Sequence, residues 1–198
     1  KAYVIPINGG TGTAENIGGN SIATPTIGGQ QIATEIPNIS GGGMTFISNS
    51  NIFGKSYSFF VASGRNELPN SRFGYINEGD KDYIFSHGVL TTNMPTSGTA
   101  KYSGQAVLGR SASGTLGAAN ITADFGQKTL AGSITRSKGS DINFNQIDFN
   151  ATINGNSFSG DGAVKANGNF YGNNAAEVGG IFHDTNQNLF GSFGAKRD

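Results

Sequence analysis

The sequence lacks several of the residues on which common protein chemistries depend. It contains no cysteine among its 198 residues, which excludes disulfides, thiolate metal sites and a cysteine nucleophile. Charged residues make up only 13% of the chain, and acids and bases balance at a net charge of zero. There is therefore no electrostatic case for binding nucleic acid or an anionic membrane. No apolar run approaches the ~20 residues that a membrane-spanning helix needs.

Catalytic patterns are missing as well. The chain has only two histidines, and it contains no G-x-S-x-G elbow, no phosphate-binding loop and no H-E-x-x-H zinc motif. Its carboxylates are scattered along the sequence, and none forms a close pair of the kind that serves in acid–base catalysis. We therefore predict a protein that binds a ligand or a partner and is not an enzyme.

Glycine and aromatic residues are abundant, with 32 Gly, 14 Phe and 6 Tyr. They occur in short β-branched or aromatic segments bounded by turn residues, a pattern that predicts an all-β fold. Cysteine-free chains rich in Gly, Asn, Thr and Ser are common among exported proteins of Gram-negative bacteria. Because the sequence opens at Lys1 without a signal-like apolar core or a lipidated cysteine, we expect a secreted, extracellular protein, or a cell-surface one if an anchor was trimmed.

The N-terminal part of the chain combines a repeat with a group of strands. Residues 17–24 and 27–34 both follow the pattern Ile-Gly-Gly, two polar residues, then Ile-Ala-Thr. Two copies are too few for a solenoid, so the repeat predicts two similar arms, each entered through a Gly-Gly turn, or a pair of loops that contacts a ligand or partner. Four strands of a small antiparallel sheet are predicted after the repeat, at residues 44–47, 55–62, 72–76 and 81–87.

The C-terminal part has the pattern of an up-and-down barrel. Short alternating segments recur at intervals of roughly 10 to 13 residues, and eight of them would close a barrel that its own side chains fill. Alternation is clearest where Ile147, Phe149, Ala151 and Ile153 share one face. The eight predicted strands are residues 100–108, 119–125, 129–135, 142–153 (with a bulge), 157–164, 168–171, 177–182 and 189–195.

Two motifs resemble those of a known family. The sequence GNFYGNNAAEVGGIF at 168–182, followed by LFGSFGA at 189–195, is similar to the barrel signature of transferrin-binding protein B-like surface proteins. TTNMPTSGTAKYSG at 91–104 resembles the entry into that barrel. Glu177 in the signature is expected to pair with Lys196 or Arg197, or to cap a turn.

The resemblance implies two domains, a ligand-binding "handle" at residues 1–92 and the eight-stranded antiparallel β-barrel at 93–198. Family members bind transferrin, lactoferrin, haemoglobin, a complement regulator or haem. The chain most resembles the secreted haem-binding members, the haemophilins. This implies a haemophore that takes haem b (iron protoporphyrin IX) from host proteins such as haemoglobin. It also implies a Slam-type translocon and a TonB-dependent outer-membrane receptor as partners.

Haem requires an axial donor, often histidine, and an apolar slot for the porphyrin. His87 ends a predicted strand on which Tyr83 and Phe85 share its face, so we expect His87 to bind the iron against an aromatic wall. His183, beside Asp184, is a weaker candidate in a predicted barrel loop.

Further candidates lie elsewhere in the predicted handle. Tyr57 and Phe60 are expected to line the same cavity, although ordinary packing explains them equally well. Met44 and Met94 could also bind iron but suit core positions, and Tyr57 and Tyr75 are alternative ligands. His87 itself could be an ordinary strand-end histidine.

Two other functions remain open at this point. The chain could be a surface lipoprotein-type receptor that binds haemoglobin, transferrin or a complement regulator through handle loops, with the repeated arms and the loop at residues 63–67 as contact surfaces. It could also be a host-association factor without a small-molecule ligand.

Overall fold

The fold was analysed in a computed structural model, which describes residues 1–6, 13–17, 21–34, 36, 41–52, 54–110, 113–137 and 142–198. Part of the first Ile-Gly-Gly copy, at residues 18–20, therefore lies outside the described residues. The chain is built from antiparallel strands, as predicted. Within the described residues, the one helical element is a 3₁₀ turn at Asn173–Ala175, and no helix is long and apolar enough to cross a bilayer.

The N-terminal strands form a six-stranded antiparallel sheet in the order β2-β1-β8-β7-β6-β5. Its strands are β1 (Ala2–Pro6), β2 (Thr13–Glu15), β5 (Thr45–Ile52), β6 (Lys55–Ala62), β7 (Ser71–Glu78) and β8 (Lys81–Gly88). A separate two-stranded hairpin, β3 (Thr26–Ile27) and β4 (Gln30–Gln31), lies between β2 and β5 in the sequence. We call this sheet and its hairpin the handle.

The handle sheet is apolar on both faces because its strands carry aromatic and branched residues at successive positions. The inner face packs on the barrel, where Phe73 and Ile84 join one cluster with Val107, Ile181 and Phe190 of the barrel. The outer face, on the other side of the sheet, has no barrel residues in its cluster. That cluster consists of Ala2, Ile27, Ile32, Ile36, Ile52, Tyr57, Phe60, Ala62, Ile76, Tyr83 and Phe85.

The outer face is covered by residues 21–34, which carry β3 and β4 and which we call the hairpin arm. Gly28 and Gly29 form its turn with positive φ values of 58° and 77°, a conformation that glycine adopts without steric cost. Thr34 N–H donates to the Ala23 carbonyl at 2.8 Å, so the two repeat copies bond to each other. The described residues show one of the two predicted arms, with its Gly-Gly turn at Gly28 and Gly29. The glycines of the first copy lie outside the described residues, and contact of the repeat with a ligand or partner stays a prediction.

The C-terminal half closes into an eight-stranded antiparallel barrel, as predicted, with β9 pairing both β10 and β16. Ile147, Phe149, Ala151 and Ile153 all point into its core. The barrel strands are β9 (Thr99–Arg110), β10 (Ser113–Asp124), β11 (Thr129–Arg136), β12 (Ile147–Asn154), β13 (Ser157–Asp161), β14 (Val164–Tyr171), β15 (Glu177–Asp184) and β16 (Leu189–Arg197).

Several strand boundaries differ from the prediction. β5 runs on to Ile52 instead of ending at residue 47, β10 begins at Ser113 instead of residue 119, and β14 begins at Val164 instead of residue 168. β12 begins at Ile147 instead of residue 142, because the Gln187 side chain bonds both backbone groups of Asn145. The Asn145 N–H donates to Gln187 Oε1 at 2.9 Å, and Gln187 Nε2 donates to the Asn145 carbonyl at 3.1 Å. The segment predicted as one strand at 157–164 ends instead at Asp161, where a bend at Gly162 leads into β14.

Candidate ligand-binding site on the handle

His87 lies near the end of β8 on the outer side of the handle, as its alternation with Phe85 predicted. Its side chain is half-buried, and its ring bonds to the backbone of Ser21 at the start of the hairpin arm. Burial lowers the pKa of His87 below its ordinary value of 6.5, and the bond to Ser21 opposes this shift. At neutral pH the imidazole is therefore uncharged, the form that can donate a lone pair to a metal.

The aromatic residues predicted to lie near His87 are brought together on the outer face. Tyr83, Phe85, Tyr57 and Phe60 belong to one buried cluster, and the Tyr57 and Phe60 rings meet edge to face with centroids 5.3 Å apart. Burial raises the pKa of Tyr57 and of Tyr83, with the nearby carboxylate of Glu78 as a second cause for both. The phenols therefore stay protonated at neutral pH.

The other predicted ligands lie elsewhere. Met44 packs against the inner-face cluster, on the opposite side of the sheet from His87, and Met94 packs against the barrel core. Tyr75 is also on the inner face, where its hydroxyl donates to Asp82 Oδ2 at 2.6 Å. Neither Met44 nor Tyr75 shares a ligand space with His87.

His183 is not in a loop, and that prediction was wrong. It lies in β15 opposite Phe190 of β16, and the two rings stack at 3.9 Å with an interplanar angle of 2°. Asn188 Oδ1 lies 3.2 Å from its Nε2. These contacts extend the strand through His183, and they hold its ring beside the inner-face cluster, away from the face that carries His87.

Glu177 connects the barrel to the handle. It is 1% exposed, and its carboxylate accepts hydrogen bonds from the Asn70 backbone at 3.0 Å, the Asn70 side chain at 2.7 Å and the Ser71 hydroxyl at 2.6 Å. Of the two expectations for Glu177, the capped turn agrees with the structure, although the turn is in the handle. Lys196 lies opposite Glu177 in β16, yet the two form no ion pair among the described residues.

Five surface cavities formed by described residues have volumes between about 320 and 610 Å³. Three lie on the barrel and two at its junction with the handle. None of these five is lined by His87 or by the outer-face aromatic residues. The side chains of the hairpin arm, Ile27 and Ile32 among them, occupy the space above those aromatic rings.

Three residues beside His87 were not singled out from the sequence. Arg72 pairs directly with His87 across the β7–β8 ladder, and it is only 4% exposed. Val89 and Leu90 follow His87 and are large apolar residues that remain 54% and 48% exposed. The two-residue turn between Glu78 and Lys81 fixes the ladder register, so it could have revealed the pairing of Arg72 with His87.

Comparison with known families gives a match over the barrel. Residues 94–197 match the model of the C-lobe and N-lobe beta barrels of transferrin-binding protein B. The chain belongs to this family. The match begins after the handle, so it identifies the barrel and leaves the handle's ligand open.

Relatives of this transferrin-binding protein B-like chain agree with the assignment. An uncharacterized protein of Haemophilus influenzae is 35% identical over 135 residues, covering 61% of this chain and 45% of the relative. Transferrin-binding protein B of Moraxella catarrhalis is 30% identical over 193 residues, covering 78% of this chain and 26% of the relative. The chain thus spans less than half the length of these curated relatives.

The solved structures show the same fold. The isotype 1 transferrin-binding protein B of serogroup B Neisseria meningitidis superposes with a TM-score of 0.68 at 20% identity, covering 100% of this chain and 43% of that one. The whole chain, handle and barrel together, therefore corresponds to one part of a longer transferrin-binding protein B.

Proposed function

We propose that this transferrin-binding protein B-like chain is an extracellular haem-binding protein that carries iron protoporphyrin IX on the outer face of its handle. The observation that supports the proposal is the position of His87, a half-buried imidazole at the end of a face lined by Tyr83 and Phe85. Burial keeps this imidazole neutral at pH 7, as an axial ligand must be. When bound, the haem supplies the iron, and this chain supplies the ligand and the apolar wall.

The residues of the outer face fit a porphyrin in chemistry but leave no room for it while the hairpin arm lies on them. A haem ring needs apolar contact on its faces, and Ile27 and Ile32 of the arm make that contact instead. Binding on this face therefore requires the arm to move away. Besides the bond between Ser21 and His87, two hydrogen bonds tie the arm to the sheet. Lys55 Nζ donates to Gln30 Oε1 at 3.3 Å, and the Gly28 N–H donates to Glu15 Oε1 in β2.

The exposed residues after His87 support an entry point at the same end of the face. Val89 and Leu90 are two of the three large apolar residues that stay exposed among the described part of the chain. Neighbouring exposed apolar residues mark interaction surfaces more often than scattered ones do. An incoming porphyrin would cover them beside its iron ligand.

The test is an absorbance titration of the protein with haemin. Wild-type protein should give a saturable one-to-one Soret shift, and His87→Ala should lose it because the iron loses its axial donor. His183→Ala is the matched control and should titrate like wild type, since His183 lies away from the outer face. A wild-type protein that gives no saturable shift would refute the proposal, and equal behaviour of His87→Ala would exclude His87 as the ligand.

The biological setting proposed here is iron acquisition outside a Gram-negative cell. In this setting a Slam-type translocon exports the chain, which takes haem from host proteins such as haemoglobin and passes it to a TonB-dependent outer-membrane receptor. Family membership supports a surface or secreted location. Transfer is testable by mixing the protein with methaemoglobin and following whether its own Soret band appears.

A second candidate is a receptor that binds a host protein through the handle, and Phe46 favours it. This side chain is 47% exposed on β5, a strand at the edge of the sheet, and it packs edge to face on Phe59 at 5.4 Å. Free strand edges can pair with an extended segment of a partner. A stable complex with haem-free globin or with transferrin that Phe46→Ser abolishes, in a protein that does not bind haemin, would support this candidate.

A further inference from the structure

The two cavities at the junction of the handle and the barrel share one residue. The first has a volume of about 330 Å³, and the handle contributes Glu67 and Leu68 to its lining. The second has a volume of about 320 Å³, and the handle contributes Pro69 and Asn70. Lys196 of β16 lines both cavities. The cavities therefore follow one another along one handle loop and meet at Lys196, and together we call them the junction groove.

The first cavity is apolar at its base. Leu68 and Phe73 are 4% and 2% exposed, and a Cβ atom added at Gly194 of β16 would lie 2.6 Å from each of these side chains. The absence of a side chain at Gly194 thus lets the two handle residues approach the barrel wall. Ligand pockets span roughly 300 to 1,000 Å³, so each of these cavities suits a single side chain better than a large molecule.

The exposed charges of the groove are mainly positive. Among the residues that the structure describes, they are those of Lys196, Arg197 and Glu67. The Lys196 side chain forms no hydrogen bond or ion pair with any described residue. Glu177 lies opposite it in the ladder, but this carboxylate is buried and accepts its hydrogen bonds from the handle. Lys196 is therefore available to pair with a carboxylate from outside the chain.

The rim of the first cavity offers hydrogen-bonding groups beside Lys196. In the β9–β16 ladder, Ser103 lies opposite Lys196 and Gln105 lies opposite Gly194. Ser103 and Gln105 are exposed, and both line the cavity. A polypeptide that lies extended in the groove carries backbone N–H and C=O groups that need partners. The rim therefore suits the backbone of such a segment.

We infer that the junction groove binds an extended segment of a partner protein, in which an acidic residue lies between two apolar residues, each two positions away. Alternate residues of an extended segment project to the same side, roughly 6.6 Å apart. The central carboxylate pairs with Lys196, and one apolar side chain enters the first cavity over Leu68 and Phe73. The other enters the second cavity against Pro69 and Ala176, which line it.

The experiment uses a synthetic peptide, Thr-Leu-Thr-Glu-Thr-Leu-Thr, titrated into isotope-labelled protein and followed by the backbone amide shifts. On wild type, the amides of Gly194 and Lys196 should shift saturably. Lys196→Glu should weaken binding about three- to tenfold, because a like-charge contact replaces an exposed ion pair. Lys165→Glu, the same change at an exposed position of β14 outside the groove, is the matched control and should bind like wild type.

Two altered peptides separate recognition from support. With lysine in place of the glutamate, the peptide should bind Lys196→Glu more tightly than wild type. With serine in place of both leucines, it should bind wild type more weakly than the first peptide does. If Lys196→Glu weakens the glutamate and lysine peptides equally, the residue has only a structural role, and the inference is overturned. Equal binding of the leucine and serine peptides would overturn it too, because the cavities then take no apolar side chain.

Two further results would contradict the inference. One is a wild-type protein that gives no saturable shift with the first peptide. The other is a change in the groove amides with protein concentration alone, since the occupant would then be a second copy of this chain. The groove lies at the barrel junction, on the other side of the handle sheet from the face that carries His87. Each of these results therefore leaves the haemin titration and the proposed function to be decided separately.

Discussion

The barrel and the handle bury the apolar faces of their strands in different ways. The barrel closes on itself, and its core cluster consists of barrel residues and of those leading into it. The handle is an open sheet with two apolar faces, so each face needs a cover from outside the sheet. The barrel covers the inner face through residues such as Ile181 and Phe190, and the hairpin arm covers the outer face through Ile27 and Ile32.

The two covers differ in strength. The inner cover is the wall of a closed barrel, tied down by Glu177 and by Ser192, whose hydroxyl donates to the Gly74 carbonyl at 2.8 Å. The outer cover is a hairpin with two residues in each strand. Regions with few buried contacts and few hydrogen bonds open at the lowest cost in free energy. We therefore expect the outer face to be the one that exchanges its cover for a ligand.

The largest expected effect comes from locking that cover in place. A Cβ atom added at Gly28 would lie 3.5 Å from Val4 Cγ2 of β1, a γ position that the sulfur of a cysteine at residue 4 would take, so cysteines at both positions can be tested as a crosslink. The chain contains no other cysteine. We expect the oxidised Val4→Cys/Gly28→Cys protein to lose the haemin-induced Soret shift, because the arm can no longer leave the face, and reduction to restore it.

Each single-cysteine variant serves as the control for the locked protein. The control matters because Gly28 has a φ of +58°, a conformation that costs a non-glycine residue roughly 1–2 kcal/mol. If the oxidised double variant takes up haemin like wild type, the arm does not have to move, and the contrast between the two covers loses its functional meaning.

A core substitution tests the difference in packing. Phe193 is fully buried in the barrel, with ring centroids 5.7 Å from Phe149 and 6.2 Å from Phe158. Phe193→Ala should lower the free energy of unfolding by about 3–5 kcal/mol, because a closed barrel cannot collapse into the cavity. The matched Phe85→Ala should lower the free energy of unfolding by less, because the hairpin arm above Phe85 can move into the cavity. Urea unfolding followed by tyrosine fluorescence measures both, and an equal loss would contradict the comparison.

The smallest of the three effects concerns the joint between the two regions. In Glu177→Gln an amide N–H donor replaces one acceptor oxygen. This donor faces the side chains of Asn70 and Ser71, which themselves donate to Glu177 in the wild type. We expect a loss of about 1–3 kcal/mol in urea unfolding. Lys196→Gln is the control and should stay within about 0.5 kcal/mol of wild type, as exposed substitutions do. A comparable loss of stability in Lys196→Gln would instead support the predicted ion pair between Glu177 and Lys196.

The sequence predicted the barrel well because its information is local. Each strand alternates over a short stretch, as Ile147, Phe149 and Ala151 do, and glycine or asparagine marks most turns. The exceptions depend on distant contacts. β12 starts late because Gln187 bonds Asn145, 42 residues earlier, and no local pattern records that bond. The partners of Glu177 lie more than 100 residues away, so its role at the joint was equally hidden.

The candidate site was predicted in part. Strand alternation grouped Tyr83 and Phe85, and Tyr57 and Phe60, which were expected in the same region, lie in the same cluster. The cover on that cluster was not foreseen, because no pattern within residues 21–34 states which surface the arm will contact. β1 was missed for a similar reason: its five residues become a strand through pairing with β8, far along the chain. Haem binding and the role of His87 stay predictions.

Strand order also determines when each region can assemble in a growing chain. β1 needs β8, since Ala2 pairs with Phe85, and β9 needs β16, since Gly109 pairs with Phe190. Pairings between such distant residues form slowly, and an unpaired strand edge is a template for aggregation. During synthesis, β1 cannot pair with β8 until the handle strands between them have been made. In the same way, β9 cannot pair with β16 until the rest of the barrel has been made. A chain released before β16 is made would leave one edge of β9 unpaired, so the barrel is open to aggregation until β16 has been synthesised.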